Sequence, residues 1–296
     1  MIDPLHLQAL AAVHRRGSFG GAAAELHLTQ SAVSQRIKAL EDQIGSVLLV
    51  RGTPCVATQA GQTLIGHFDR LMLMETAVRR DLGQGAQGPS TLRIAVNADS
   101  LATWFLPALQ AVEGFLFDIV IDDEDVSQDW LKRGEVAAVV TAHSKPLQGC
   151  ESVPLGHLRY VATASPDYMR RWMPDGVTAQ ALAKAPALMF SDKDKLQERW
   201  VARNFGNTVR PRGLPCHRIG SSQAFVDACI LGLGWALNPE YLVADHLMAG
   251  RLVHLYVDAP HDAPLFWQFN RLTAEALAPM TAAVRAAAAQ VLLPPE

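Results

Sequence analysis

Ser31, Ser34, Gln35 and Lys38 recur on one stripe at helical spacing, with Gln30 and Arg36 beside them. Short hydroxyls and amides with a few cations are the groups that meet base edges and phosphates in a DNA groove. The opposite stripe, Val33, Ile37, Leu40 and Ile44, is apolar, so the segment reads as a helix with one face in a core. Thr29 suits its N-cap, and Gln30 and Ser31 fall in its first turn, where backbone N–H groups favour a phosphate. Ser34 and Gln35 suit base reading; Arg36 and Lys38 suit phosphates. The same pattern also fits a plain solvated helix face.

A second set of polar residues lies far along the chain. Asn97-Ala98-Asp99-Ser100 follows a strand candidate and opens a helix. Helix N–H groups with the Ser100 and Thr103 hydroxyls suit a carboxylate, and Asp99 suits the α-ammonium of the same ligand. Asp99 or Ser100 also serves as an ordinary cap. Asp122-Asp123-Glu124-Asp125 ends the next strand, where Asp122 or Glu124 suits a distal ammonium or guanidinium. A solvated acidic loop explains any one member equally well. The run lacks the spacing of a calcium loop, so no metal is expected. Thr141 at a third strand end, and Ser221 and Ser222 before a helix containing Phe225, are candidates for facing walls of a cleft; both serines also fit a helix cap. There is no H-E-x-x-H, G-x-S-x-G or Walker motif, and no spacing that suggests a nucleophile. Gly232-x-Gly234 is too short for a dinucleotide fingerprint. No catalytic residue and no cofactor are expected.

The elements that position these residues follow from the surrounding sequence. Asp3 and Pro4 begin a first helix that Gly17 ends, and Ser18 caps a second that runs to about Leu26. With the helix from Thr29 they suggest a helix-turn-helix. Val47–Val50 and Val56 flank a turn and read as a wing carrying Arg51. From Thr58 a long helix follows, with Leu64, Phe68, Leu71, Val78 and Leu82 on a heptad-like seam. Gly83 to Ser90 reads as a hinge. Beyond it, strand candidates at 92–96, 117–121, 136–140, 160–163, 187–190, 217–219, 235–237 and 265–269 alternate with helices. That alternation predicts an α/β architecture with parallel sheets and a ligand beyond the strand ends.

Composition sets the limits. The 296 residues suit more than one domain, and 49% hydrophobic with 19% charged residues supports packed cores. The net charge of −3 divides into +1 over residues 1–90 and −4 over the remainder, so DNA affinity must come from local geometry. No apolar run approaches the roughly 18 residues of a membrane span, and no basic-then-apolar leader is visible. A cytoplasmic protein is expected. Cys55, Cys150, Cys216 and Cys229 form no C-x-x-C pair, which argues against a disulfide framework or a zinc site.

Ser18-Phe19, Ala22-Ala23, Leu26, Thr29 to Ser34, Ile37, Leu40-Glu41, Gly45, Leu48 to Arg51 and Thr58 to Gly61 together resemble the N-terminal domain of LysR-type transcriptional regulators. The resemblance continues through Val96 to Trp104, Arg133 to Val136, Pro215 to His217 and Ser221 to Val226, and is closest to the ArgP/IciA (LysG) subgroup. Leu49 stands where the family usually has Phe, and Pro54 where it has a second Arg; residues 191–195 are also atypical. The resemblance implies an α+β multi-domain fold. A winged helix-turn-helix occupies 1–57, and a linker helix and hinge 58–90. An effector domain, 91–296, has two periplasmic-binding-protein-like halves, about 91–158 with 267–296, and 159–266. It implies double-stranded DNA contact by Thr29, Gln30, Ser31, Ser34, Gln35, Arg36, Lys38 and Arg51. Pairing into a homodimer or homotetramer through the linker seam and contact with RNA polymerase are implied too. The effector would be L-lysine or L-arginine, held by Asn97, Asp99, Ser100, Thr103, Trp104, Asp122, Glu124, Thr141, Phe190, Asp192, Ser221 and Ser222. The regulated gene would encode a basic amino-acid exporter. The competing reading is a repressor or replication-origin binder of this fold with a different effector or none.

Overall fold

The computed structural model describes residues 2–83, 90–122, 128–206 and 213–295. It begins with helices α1 (Pro4–Arg16), α2 (Phe19–Glu25) and α3 (Gln30–Ile44). Asp3, Ser18 and Thr29 accept at their caps from the N–H groups of Leu5, Gly21 and Ala32. Gly17 and Gly45 end α1 and α3 at φ 65° and 74°, left-handed geometry that glycine adopts without strain. Leu7, Leu10, Val33, Ile37, Leu40 and Leu48 form the core beneath. Ile44, placed on that stripe by its spacing, is exposed because it sits in the last turn, past the core. The wing pairs β1 (Leu49–Val50) antiparallel with β2 (Val56–Ala57). Glu41 accepts from the Leu48 N–H at 2.8 Å and so ties α3 to the wing.

Helix α4 (Gln59–Asp81) starts where Thr58 accepts from the Gly61 N–H. Its seam residues also pack within the chain. Phe68 is buried in the winged domain's own core, and Leu64 and Leu71 pack against the same cluster. Within the chain these apolar residues therefore help to close the small N-terminal core, with Leu64 and Leu71 only partly covered by it. Val78 and Leu82, farther along, remain 57% and 66% exposed.

The first half of the C-terminal domain contains β3 (Ser90–Val96), α5 (Ala98–Ser100), a π-helical turn (Leu101–Phe105), α6 (Leu106–Gln110), β4 (Phe115–Ile121), α7 (Gln128–Arg133) and β5 (Ala138–Thr141). Strand β6 (Cys150–Ala164) carries the chain into the second half. That half holds α8 (Pro166–Trp172), α9 (Ala179–Leu182), β7 (Ala187–Met189), α10 (Leu196–Phe205), β8 (Cys216–Arg218), α11 (Ser222–Ile230), β9 (Ala236–Pro239), α12 (Glu240–Met248) and β10 (Val253–His254). Strand β11 (His261–Asn270) returns, and α13 (Ala278–Val291) packs on α6 and β6.

The main sheet runs β10-β6-β11-β5-β3-β4, with β9 also on β6. It is mixed, not parallel throughout. β3 is parallel to β4 and β5, whereas β6 and β11 pair antiparallel from Cys150↔Asn270 to Tyr160↔His261. Two long antiparallel strands are what a chain needs to leave one half and return to it. The expected boundaries at 158/159 and 266/267 fall inside them.

The linker helix also touches the effector domain. A Cβ on Gly66 would lie 1.8 Å from the Gly134 carbonyl oxygen, so no side chain fits between α4 and the end of α7. Arg70 Nη1 donates to that same carbonyl at 3.2 Å. The predicted hinge lies mainly at 84–89, outside the described residues.

Candidate functional site

Helix α3 turns the two stripes apart as its period requires. Val33, Ile37 and Leu40 are buried, while Thr29, Gln30, Ser31, Gln35 and Lys38 are exposed; Ser34 and Arg36 are half-buried. Of the two acids at its end, Glu41 is turned to the wing and Asp42 is exposed. Arg51 reaches back from the wing and stacks over the Phe19 ring at 5.7 Å, a contact that holds a guanidinium in place without neutralising it. Nearby cations are taken up elsewhere: Arg15 pairs with Asp69, and Arg16 pairs with Glu25 at 2.5 Å.

A cavity of about 570 Å³ lies between the two halves of the C-terminal domain. That suits a small ligand rather than a macromolecule. Of the expected wall, Asn97, Asp99, Asp122, Phe190, Asp192 and Ser222 line it. Asp99 is held from the other side: Ser222 Oγ donates to its Oδ1 at 2.7 Å and Tyr160 Oη to its Oδ2 at 2.8 Å. Asp122 Oδ2 accepts from the Trp130 indole at 2.8 Å, and its Oδ1 lies 3.6 Å from Lys193 Nζ.

Other expected members do not reach the cavity. Ser100, the last residue of α5, and Trp104, in the π-helical turn that follows, are buried behind the wall, where Trp104 meets Phe105 edge-on at 5.4 Å. Thr103 Oγ1 donates back to the Asp99 carbonyl at 2.6 Å. Thr141 is fully buried and accepts from the His143 N–H, so Ala142 lines the cavity in its place. Ser221 is an exposed cap on α11, the plain reading of that residue. Asp192 lines the rim but pairs outward with Arg218 at 2.6 Å. Glu124 lies outside the described residues.

The structure adds Tyr160, Lys193, Gln197, Arg199, Asn238 and His261 to the lining. Burial, with Arg203 nearby, pushes the His261 imidazole below its ordinary 6.5. Tyr160, Asn238 and His261 come from strands whose edges meet only once β6, β9 and β11 pair, and sequence spacing carries no sign of that. For Lys193 the sign was the unusual 191–195 stretch itself.

Comparison with known proteins fits both parts. Residues 5–62 match the bacterial regulatory helix-turn-helix family, lysR type, and 85–292 match the LysR substrate-binding domain. The chain belongs to the LysR family. It is a LysR-type transcriptional regulator with an N-terminal DNA-binding domain. It is 41% identical over 293 residues to the transcriptional regulator LysG of Mycobacterium tuberculosis, covering 97% of this chain and 95% of that one. It is also 41% identical to ArgP of Aeromonas salmonicida over 90% of each chain. Among solved structures, ArgP from Mycobacterium tuberculosis aligns with TM-score 0.82 at 40% identity, covering 100% of both chains. Full-length LysG from Corynebacterium glutamicum, solved with arginine bound as effector, aligns with TM-score 0.69 at 37% identity over 99% of this chain and 100% of that one. No helix among the described residues is long and apolar enough to cross a membrane.

Proposed function

We propose that this regulator senses a basic L-amino acid, lysine or arginine, in the cleft between the halves, and controls a gene for basic amino-acid export. The observation that carries the reading is the pair of acids, Asp99 and Asp122, on one cavity wall. One carboxylate suits the α-ammonium, the other the distal cation, and a ligand without that cation leaves Asp122 less well matched. The arginine in the Corynebacterium relative supports the same ligand class. The protein acts in the cytoplasm on double-stranded DNA, as a homodimer or homotetramer, and works through RNA polymerase.

Transmission has a physical route. Asp122 is hydrogen-bonded to Trp130 on α7, and the carbonyl of Gly134, the residue directly after α7, accepts from Arg70 of the linker helix. A ligand that draws on Asp122 therefore acts on an element packed against α4, and a shift in the preferred arrangement would re-space the DNA-binding domains.

The second reading, a regulator of this fold with a different effector, draws on Lys193, Lys195 and Arg199 in the same lining. Calorimetry on the full chain separates the two. Lysine or arginine binds and norleucine binds more weakly if the proposal holds. Binding of glutamate in preference to both basic amino acids would favour the second reading.

A further inference from the structure

Lys193 belongs to the second half of the effector domain and Asp122 to the first, yet their charged groups face each other across the cavity at 3.6 Å. The loop that presents Lys193 is shaped for this. Asp194 accepts from the Phe190 N–H at 2.8 Å and from the Leu196 N–H at 2.9 Å, which pins both ends of the loop. Ser191 Oγ accepts from the Lys193 N–H at 3.1 Å and fixes the turn between them. Asp192, the neighbouring acid, is drawn outward to Arg218 and so leaves the Lys193 charge directed at the cleft. On the facing side, the Trp130 indole holds Asp122 Oδ2, which turns Oδ1 toward the loop.

An alkyl-ammonium from the protein thus occupies the position that the reading above gives to the effector's distal cation. From this geometry, and resting on that reading of the cleft, we infer that Lys193 is a tethered competitor that sets the affinity and specificity for basic effectors. The distal ammonium or guanidinium gains Asp122 only as Lys193 gives it up. A neutral side chain makes no such exchange. The competitor is kept weak by solvent: Lys193 is 60% and Asp122 21% exposed, and pairs of this kind contribute little to stability. Removing it therefore raises the affinity for basic amino acids by about 2- to 5-fold, not by orders of magnitude. The effect shrinks as salt screens the partly exposed pair.

The test is calorimetry on the full chain with L-lysine, L-arginine and norleucine, comparing wild type, K193Q and K193R. The expected result is lysine and arginine bound about 2- to 5-fold tighter by K193Q, norleucine unchanged, and K193R matching the wild type. Basic amino acids bound equally or more weakly by K193Q, while the wild type binds them, would overturn the competitor alone. Equal weakening for all three ligands would assign Lys193 to the shared α-carboxylate instead, and would overturn it as well. Binding of neither lysine nor arginine by either protein would overturn the effector reading and the competitor with it. Binding of them by K193Q alone supports both.

Discussion

Replacing Asp99 by Asn removes one charge from the cleft and little else. The carboxylate accepts from Ser222 Oγ at 2.7 Å and Tyr160 Oη at 2.8 Å. An amide of the same shape keeps one oxygen acceptor, and either hydroxyl can rotate to accept from the new NH2 group. The cavity wall should therefore stay in place, and thermal unfolding of D99N should show a single transition close to the wild type's. The ligand's α-ammonium, in contrast, loses a charge-assisted hydrogen bond to a half-buried carboxylate. Such bonds contribute about 1.5–3 kcal/mol, which corresponds to roughly a 10- to 150-fold weaker Kd. Calorimetric titration of arginine into the full chain reads this directly. A D99N protein that binds arginine within twofold of the wild type would remove Asp99 from the ammonium site and undo the two-carboxylate argument.

Lys38→Ala should weaken binding to all DNA sequences and lower the salt slope by about 1, whereas Gln35→Ala should change sequence preference by about 1–3 kcal/mol if its contact is bidentate; filter binding over a salt series and a base-substituted operator set separates the two. Phe68→Ala should destabilise the winged domain by about 3–5 kcal/mol, since the ring is buried in that domain's core; urea unfolding checks this, and an unchanged midpoint with loss of the dimer would assign the ring to a contact between subunits instead. Stability should fall as pH drops below the ordinary histidine value of 6.5, because His261 and His14 are both held below it in the folded protein and the unfolded chain binds their protons first. Each contributes up to about 1.4 kcal/mol per pH unit, and only between the two states' pKa values. Unfolding at pH 7.5 and 5.5 should show a smaller difference in the H14Q/H261Q double variant.

The N-terminal domain was legible because its information is local. Asp3, Ser18, Thr29, Gly17 and Gly45 each set a helix end within a few residues of themselves, and a helix period sorts Val33, Ile37 and Leu40 from Ser31, Gln35 and Lys38. The linker seam shows the limit of that logic. A heptad-like stripe states that a face is apolar but not what covers it; within the chain Phe68 is buried in the N-terminal core, and Leu64 and Leu71 are partly covered by it. In the effector domain, strand-then-helix order located Asp99, Asp122 and Ser222 at element ends, where the cavity lies. It failed for Ser100, which α5 turns into the core, and for Thr103 and Trp104, which lie in a π-helical turn that no local pattern announced. The strand-helix alternation also hid the antiparallel pairing of β6 and β11, since the residues of one strand do not state the direction of the strand it will pair with.

The most direct test of the account is a mobility shift and footprint on the DNA upstream of the protein's own gene, with and without L-arginine or L-lysine. The account predicts a sequence-specific, salt-sensitive complex whose affinity or footprint changes with the basic amino acids and not with norleucine. A specific complex that is identical at saturating lysine, arginine and norleucine would contradict it.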